Sequence, residues 1–561
     1  MPCVPPDRKA SSTTRPAAAI AAGQVQTGTE AFEEKDTSEA DGYYYRPVPS
    51  PSSPTTSSLH PAAVERPLLL ALGVGAILVL ARSAVFLWWE QASFDSDQAI
   101  FGLMAKHIAE GRAFPTFIYG DRYMLAVEAW LAAPLFAIFG PSVAMLKLPV
   151  VLFNVATGVI LVWVLHRDGG LRPLTAVFSS FFFVIAPPGL ATQLIQTGGG
   201  NPEPFLYVLL LWVLRARPLA LGVVFGIGFL HREFTIYGLA AIVVIALFDD
   251  RRITGERLRA AALAVVGYLI VWQIVRTAFV FSTPYGPGSV ITTTLGASSF
   301  QAAATRTCWA PAMIVPGLVH FFGDYLGMMY GADNRPILDF GARSSLSTTI
   351  PGLPAFWPVM GLVLVAALTR ALWISVRDRR PIWHGTAAVG TFLLLVGLQS
   401  GVLYTLARCG DIQSGTMRYA LLSAYSGVGA VALFFIYETE ARWRRLMGGL
   451  IVVWGVCSVT GHVRLLSEYL YHQPANPRRQ LATYLVTNGI RYARSDYWTA
   501  YSTTFLASEQ VVLASTDSVR ISDYQQQVEL HRSQAVTVQT SVCGKGGGDV
   551  AVPEMYWVCR D

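Results

Sequence analysis

The stretch that decides the fold lies at residues 67–100, PLLLALGVGAILVLARSAVFLWWEQASFDSDQAI. Residues 67–89 are apolar and long enough for one helix to cross a bilayer, which takes about 20 such residues. Asp95 and Asp97 follow soon after this run, so two carboxylates stand where the chain leaves the apolar layer. The sequence therefore predicts a membrane anchor that ends beside a polar segment suited to chemistry.

The composition of the whole chain agrees with this beginning. Of the 561 residues, 14% are charged and 53% hydrophobic, and the mean hydropathy is +0.43. Soluble chains carry roughly 25% charged residues. These numbers exclude a long disordered protein, a collagen, a coiled coil and a small disulfide scaffold. The net charge of +6 is small and its basic residues sit in short gaps between apolar runs, so nucleic acid is not an expected partner.

Further apolar runs predict a polytopic helical bundle of about 11 spans. Eight full-length spans are predicted near 67–89, 143–165, 173–195, 258–281, 355–376, 384–407, 418–437 and 446–466. Three shorter runs, 203–216, 218–230 and 234–248, are either short tilted spans or include a re-entrant pair. Residues 123–140 are interpreted as an interfacial or partly buried helix, because Glu128 and two prolines flank or interrupt the apolar run.

Basic residues between the runs predict the orientation. With the N-terminus inside, fifteen arginines fall in inner loops and six Lys or Arg residues fall in short outer loops. An excess of Lys and Arg marks cytoplasmic loops. The expected layout is a disordered cytoplasmic tail (1–66), a transmembrane domain (67–466) and an extracytoplasmic, periplasmic domain (467–561). The transmembrane domain would carry a first outer loop at 90–142 and a long one at 282–355.

The last segment predicts a small α/β domain. Residues 477–489 read as an amphipathic helix with a glycine stop, and short β-like runs follow at 511–513, 519–521, 536–538 and 556–559. Cys543 and Cys559 both fall in this segment. An oxidising outer compartment would permit a disulfide between them, and two buried free thiols are the alternative.

The two carboxylates of the first outer loop have two interpretations. Asp95 and Asp97 lead into an amphipathic helix, where a carboxylate could act as a general base on an acceptor in water. Asp-x-Asp is also a minimal pattern for a divalent metal. The plainer alternative is that Asp95 or Ser96 caps the helix and Asp97 favours its dipole. The spacing alone favours the cap.

The segments SDQAIFGLMAKHIAEG (96–111) and PTFIYGDRYMLAVEAWLAAPLFAIFGPS (115–142) resemble the first loop of GT-C glycosyltransferases. These polytopic enzymes transfer a sugar from a polyprenyl-phosphate carrier on the outer face of a membrane. The resemblance is to the bacterial branch related to dolichyl-phosphate-mannose protein mannosyltransferases and lipid A aminoarabinose transferases. It is supported more loosely by residues 199–203 and 417–422.

The resemblance implies roles for individual residues. Asp97 matches the catalytic acidic residue, which as a general base would deprotonate or orient the acceptor. Arg418 matches an Arg-Tyr pair whose guanidinium could bind the carrier phosphate. Where the family commonly has Glu, this chain has Gln98, so a two-carboxylate mechanism would rest on Asp95. Lys106 and Tyr123 are further candidates for the donor phosphate.

Other ionisable residues of the predicted outer face are candidate substrate ligands, since charged groups at membrane depth are costly and usually functional. They are Glu128, Glu203, His231 and Arg232. For His231 a hydrogen-bonded turn residue is the favoured alternative, and for Arg232 an ion pair with Glu233. The glycines at 198–200 are expected to allow a tight reversal rather than to cradle phosphate, because no strand precedes them and no Lys-Ser/Thr follows.

Together these features favour a glycosyltransferase of the bacterial inner membrane. Its expected partners are a polyprenyl-phosphate sugar, the bilayer and an acceptor that is a glycolipid, glycan or protein. No cofactor and no metal is assigned. One alternative is a transporter or flippase, which predicts paired repeats and broken helices near the midplane. Another is an inactive relative that binds envelope components, an interpretation that Gln98 keeps open.

Overall fold

The computed structural model describes residues 66–120, 124–198, 200–249, 254–282, 311–331, 356–407, 414–544 and 547–560. The predicted tail at 1–66 lies outside the described residues except for Arg66, and so does most of the predicted loop at 282–355.

Among the described residues, eight helices are long and apolar enough to cross a membrane. They are Arg66–Trp88, Val143–Arg167, Gly255–Val280, Pro311–Tyr330, Pro358–Arg377, Ala387–Leu406, Arg418–Tyr437 and Ala441–Tyr471. The helix at 358–377 starts at Phe356, and a 3-10 segment (Ser414–Ser423) forms the first part of the one that ends at Tyr437. The predicted class, a mainly helical polytopic bundle, is confirmed.

The three shorter predicted runs are separate helices in the structure. They are Glu203–Val213, Pro218–His231 and Ile236–Asp249, each below the length of about 20 residues that a perpendicular crossing takes. The count of 11 spans therefore remains a prediction.

The predicted span at 173–195 is not one helix. It is divided into Pro173–Ser179, Phe181–Val184 and Pro188–Leu194. Pro187 and Pro188 supply no backbone N–H, so a continuous helix cannot run through them. Side chains of the last long helix satisfy two of the freed carbonyls: Ser458 donates to Ile185 O at 2.5 Å and His462 Nε2 to Ala186 O at 2.8 Å.

A second difference lies in the predicted long outer loop. Residues 311–330 form a helical segment there, comprising Pro311–His320, a π turn (Phe321–Tyr325) and Leu326–Tyr330. Pro316, His320 and the acidic residue at 324 dilute its apolar character, which hid this helix from the sequence analysis. Its final turn is buried in the bundle, and the Tyr325 hydroxyl donates to Ala420 O.

The membrane bundle has an aromatic core. Phe182 stacks on Trp454 with ring centroids 4.6 Å apart, and Phe205 meets Tyr425 at 4.9 Å. The Tyr425 hydroxyl donates to Phe205 O at 2.9 Å, so its polar end is satisfied inside the core. This packing joins the broken segment to the helix that carries Trp454, and helix Glu203–Val213 to the helix that carries Tyr425.

The C-terminal part is the predicted small α/β unit. Its sheet has the order β2-β1-β3-β5-β4, with β1 (Tyr492–Ser495), β2 (Val512–Ser515), β3 (Val536–Gln539), β4 (Gly548–Val552) and β5 (Tyr556–Cys559). Strands β1, β2 and β3 are parallel to one another, whereas β5 is antiparallel to β3 and β4. Its helices are Pro477–Thr487, Tyr497–Leu506 and Ser522–Leu530.

The strand predictions for this unit are partly wrong. Strands were expected near 511–513, 536–538 and 556–559, where the structure has β2, β3 and β5. The run at 519–521 is not a strand, and the sequence analysis missed β1 and β4. Strand β4 is mostly exposed at the sheet edge and therefore lacks the alternating apolar pattern that would have revealed it. Cys543 and Cys559 are joined in a disulfide, with Cα atoms 5.6 Å apart.

Helix Ser96–Ala109, called the docking helix below, joins the two parts of the chain. Together with helix Val127–Phe139 it shares one continuous apolar core with the α/β unit. Gly102 allows the close contact, since a Cβ at this position would lie 2.5 Å from the Phe505 ring. The α/β unit therefore packs directly onto the segment that carries Asp97.

Candidate functional site

The first turn of the docking helix is capped by Asp95. Its Oδ1 atom accepts from the Gln98 backbone N–H at 3.1 Å. The Gln98 side chain donates to Ser93 O at 3.0 Å and lies 3.4 Å from the same Asp95 oxygen. Asp95 is therefore the residue that caps the helix, and its side chain is buried at 2% exposure. Gln98 supports the turn rather than supplying a second carboxylate.

Asp97, two residues later, points toward two other parts of the chain. Arg418 Nη1 donates to Asp97 Oδ2 at 2.9 Å, and the Tyr497 hydroxyl donates to Oδ1 at 2.6 Å. The side chains of Asp97 and Arg418 keep 19% and 17% of their surface exposed. Asp97 is therefore the point where the docking helix, the beginning of a late spanning helix and the α/β unit meet.

The two carboxyl groups have different protonation behaviour. Burial raises the pKa of Asp97, but the charge of Arg418 and the Tyr497 hydrogen bond outweigh burial and hold that pKa below its usual value. For Asp95, burial and then the nearby charge of Asp97 raise the pKa. Asp97 is consequently the ionised member of the pair.

A second arginine contacts the same aromatic ring as the first. The guanidinium carbons of Arg418 and Arg232 lie 5.3 Å and 5.4 Å from the centroid of the same ring, that of Tyr419. Arg232 is buried at 3% exposure and pairs with no carboxylate among the described residues, so the expected ion pair with Glu233 is wrong. The Nε atoms of both arginines are buried without a hydrogen-bond partner in the described chain.

Gly200 lets the Arg232 side chain approach the backbone. Gly200 has a φ of +93°, and a Cβ there would lie 2.7 Å from the side chain of Arg232. A Cβ on Gly198 would lie 3.9 Å from Arg418 Nη1. The positive φ of Gly200 is a conformation that favours glycine, and the missing side chain leaves room for Arg232. The tight reversal over residues 198–200 remains a prediction.

Glu128 and His231 lie together in a buried chain of hydrogen bonds. His231 Nε2 is 3.0 Å from Glu128 Oε2, and His231 Nδ1 is 3.0 Å from the Tyr207 hydroxyl. The other carboxylate oxygen, Glu128 Oε1, accepts from the Gly200 N–H at 3.3 Å. His231 is therefore a hydrogen-bonded residue. The chain of hydrogen bonds from Tyr207 through His231 and Glu128 ends on the backbone N–H of Gly200.

Glu203 has a different environment. It is fully buried, and neither carboxylate oxygen has a hydrogen-bond partner in the described chain. Gln193 is also fully buried with both amide atoms unpartnered among the described residues. Buried polar groups without partners are rare in native proteins. Glu203 and Gln193 are therefore buried polar side chains that the described chain leaves unsatisfied.

Lys106 lies away from this group. Its ammonium pairs with Glu509 of the α/β unit and with Glu110 at 2.8 Å. Glu509 also accepts from the Tyr524 hydroxyl at 2.7 Å and lies 3.0 Å from His107 Nε2. Since a helix rises 1.5 Å per residue, Lys106 is displaced from Asp97 by about 13 Å along the docking helix. These contacts assign Lys106 to the attachment of the α/β unit.

Two further expectations concern the donor phosphate and metals. Tyr123 lies outside the described residues. No group of three or more His, Cys, Asp or Glu side chains in the described ranges is placed to hold a metal ion.

The sequence analysis missed Tyr497 and Glu509. Tyr497 begins a short helix of the α/β unit and belongs to none of the motifs that point to function. Glu509 is a single acidic residue beyond a helix end, where its backbone has a φ of +62°. Both act across about 400 positions of sequence, and no local pattern reveals such contacts.

No protein-family model and no curated protein sequence matches the chain. In fold it is similar to ArnT from Cupriavidus metallidurans in the apo state, with a TM-score of 0.50 and 10% identity over 88% of this chain and 97% of ArnT. The apo oligosaccharyltransferase of Archaeoglobus fulgidus is also similar, with a TM-score of 0.47, 13% identity and coverage of 84% of this chain and 69% of that one.

The bundle, the first-loop helices and the C-terminal α/β unit define a polytopic membrane protein. In fold, the similarity to ArnT agrees with what the resemblance at residues 95–142 implied, a polytopic helical bundle with a C-terminal α/β unit. This similarity concerns the fold, and the chemistry has to be argued from the site.

Proposed function

We propose that this protein is a membrane glycosyltransferase that moves a sugar from a polyprenyl-phosphate donor to an acceptor on the outer face of the membrane. The observation that carries the proposal is the ion pair between Asp97 and Arg418, with Arg232 beside it, at the end of a spanning helix. Such a set offers a carboxylate to an acceptor and guanidinium groups to a lipid-borne phosphate. ArnT has also been crystallised with undecaprenyl phosphate.

The chemistry follows from the charges. The acceptor oxygen or nitrogen attacks the anomeric carbon, and its proton passes to Asp97. The bond between that carbon and the phosphate oxygen breaks, so the lipid phosphate leaves with an added negative charge. Arg418 neutralises that charge with paired hydrogen bonds, to which Arg232 adds a second guanidinium. A direct displacement of this kind inverts the anomeric configuration.

The supporting residues have secondary roles in this proposal. Asp95 holds the first turn so that Asp97 projects to the site. Glu128 and His231 fix Gly200, and Glu203 is a candidate ligand for a sugar hydroxyl. These residues are proposed as substrate ligands or as direct supports of the ligands.

Orientation is also part of the proposal. We place the N-terminus in the cytoplasm and the α/β unit outside the inner membrane of a bacterium. The Cys543–Cys559 disulfide supports this, because such bonds persist in oxidising compartments. A reporter fused after residue 467 should give signal only on the outer side, and a cytoplasmic signal would overturn the layout.

One observation favours the transporter alternative. Broken helices are expected of transporters, and residues 173–194 are divided into three short helices. However, the break is held by Ser458 and His462, and the arginines and Asp97 gather at one end of the bundle. A transferase uses that arrangement more directly than a transporter does.

The test is transfer from a panel of purified undecaprenyl-phosphate sugars by the full chain, with release of undecaprenyl phosphate as the readout. Asp97→Asn should lower the rate about 10²- to 10⁴-fold, the usual contribution of a general base, in a protein that still folds. Full activity in this variant would remove Asp97 as the base.

A further inference from the structure

The α/β unit supplies one side chain to the Asp97 site, the hydroxyl of Tyr497. Tyr497 begins helix Tyr497–Leu506, whose first turn is capped by Asp496. Its backbone N–H donates to Asp517 Oδ1 at 2.7 Å, and its ring meets the rings of Trp498 and Tyr501 edge to face. The hydroxyl is therefore aimed at Asp97 by a rigid element rather than by a loop.

The same helix is fixed against the docking helix close to Asp97. The backbone N–H of Ser502 donates to the Ser96 hydroxyl at 3.1 Å, one residue before Asp97. Phe505 fills the space over Gly102. The distance between Tyr497 and Asp97 is thus set by packing on both sides and not by their hydrogen bond alone.

In the structure, both oxygens of Asp97 are occupied, Oδ2 by Arg418 and Oδ1 by Tyr497. Arg418 therefore competes with an acceptor for Asp97 Oδ2 in this arrangement. Arg418, however, has a buried Nε without a partner in the described chain, and so does Arg232, which contacts the same Tyr419 ring. A phosphate would receive more hydrogen bonds from Arg418 than Asp97 does, and it would compete with Asp97 for the guanidinium.

We propose that Tyr497 is a positioning residue, which keeps Asp97 in place when a lipid phosphate takes Arg418 away from it. This inference rests on the proposed function. Binding of phosphate exchanges the ion pair for an Arg418–phosphate contact and frees Asp97 Oδ2 for the acceptor. The Tyr497 hydrogen bond then remains as the protein contact that holds Oδ1. In this way the docked position of the α/β unit would determine whether Asp97 stays oriented for the acceptor.

The charges around Asp97 agree with this role. Arg418 and Arg520 are the cations whose charge acts on Asp97, and Asp95 is the neighbouring carboxyl group. The guanidinium of Arg520 lies 6.0 Å from the Tyr497 ring on the side of the α/β unit. When a phosphate engages Arg418, Arg520 and the Tyr497 hydroxyl remain to stabilise the ionised Asp97.

The test is a double-mutant cycle on binding of undecaprenyl phosphate alone to the full-length protein in detergent. Asp97→Asn should tighten binding, because Arg418 loses its competing carboxylate and the phosphate loses a repelling charge. Tyr497→Phe should weaken binding about tenfold, the loss that corresponds to one hydrogen bond to a charged group. In the Asp97→Asn background, Tyr497→Phe should have no further effect.

Two controls separate the possible failures. Tyr524→Phe removes the hydroxyl that the α/β unit donates to Glu509, and it should leave lipid binding unchanged. Arg418→Gln should abolish binding. If Tyr497→Phe weakens binding equally in both backgrounds, or not at all, the positioning role is wrong while the donor site stands. If the wild-type protein binds no undecaprenyl phosphate, or Arg418→Gln binds normally, the proposed donor fails as well.

Discussion

The two ends of the docking helix both place a carboxylate beside a tyrosine hydroxyl, and they differ in how many donors surround it. At the far end, Glu509 receives Lys106, His107, Arg112 and the Tyr524 hydroxyl. At the near end, Asp97 receives only Arg418 and Tyr497, while guanidinium nitrogens close by have no partner among the described residues.

This difference separates attachment from chemistry. A fully satisfied buried network fixes two surfaces against each other. A partly satisfied one is costly unless a ligand completes it. We therefore assign the Glu509 end to the attachment of the α/β unit and the Asp97 end to substrate. The tyrosine at each end comes from the same unit, so docking and site assembly are linked.

The largest predicted effect is on the rate of sugar transfer, which should distinguish the two ends of the docking helix. Asp97→Asn should lower sugar transfer about 10²- to 10⁴-fold. Glu509→Gln is the matched carboxylate-to-amide change at the other end. It should leave the transfer rate within about threefold, because its ion-pair cluster lies about 13 Å along the docking helix from Asp97. Equal losses in both variants, measured with one donor and equal amounts of folded protein, would remove the distinction between the two ends.

The second prediction concerns the disulfide, which is remote from both ends. It links residues 16 positions apart, and closing a loop of that size stabilises a fold by about 3 kcal/mol in the chain-entropy account. Replacing Cys543 and Cys559 by serine should lower the stability of the α/β unit by about that amount, measured by denaturant unfolding. Binding of undecaprenyl phosphate should not change while the unit stays folded. A loss of binding without unfolding would show that the sheet edge contributes to the site.

The third prediction is that the stability contributed by the Glu509 cluster depends on pH. Burial raises the pKa of Glu509, but His107, Arg112 and Lys106 outweigh it and hold the pKa well below the usual 4.5. The stabilisation is therefore present above about pH 4.5 and is lost as the pH falls through the folded-state value. Burial also lowers the pKa of His107, so charging this ring at acid pH weakens the same cluster.

Thermal unfolding of the wild type and of Glu509→Gln across pH 7 to 3 measures this effect. The variant should be about 2 kcal/mol less stable at pH 7, and the gap should shrink below pH 4.5. A gap that is constant with pH would mean that the Glu509 charge does not contribute to the attachment.

The smallest predicted effect lies midway along the docking helix. Gly102→Ala should destabilise the attachment by about 1 to 2 kcal/mol, because the new methyl group would lie 2.5 Å from the Phe505 ring unless that ring shifts. Adding Phe505→Leu should recover part of the loss. Protease cleavage after residue 471 reports loosening of the unit, and an unchanged cleavage rate in Gly102→Ala would contradict the close contact.

The sequence predicted the helical membrane class and the helix after Asp95 because hydropathy and capping are local signals. It failed at 173–195, where overall hydropathy hid the effect of Pro187 and Pro188, and at 311–330, where polar residues diluted a helix. A family resemblance pointed to Asp97 and Arg418, but the contact between them is visible only in the folded structure. Lys106 was expected at the donor phosphate, but it pairs with Glu509 and Glu110. A location on the outer face alone does not indicate which carboxylate a cation will contact. Tyr497 could not be foreseen, since its partner lies 400 positions away.

The central claim is that the Asp97–Arg418 site transfers a lipid-borne sugar to an envelope acceptor. The most direct test is comparative mass spectrometry of glycolipids and glycoproteins from a deletion strain complemented with the wild type or with Asp97→Asn. The account predicts that one class of molecules lacks a sugar mass in the deletion strain, that the wild type restores this mass and that Asp97→Asn does not. An unchanged set of glycans in the deletion strain, or full restoration by Asp97→Asn, would contradict it.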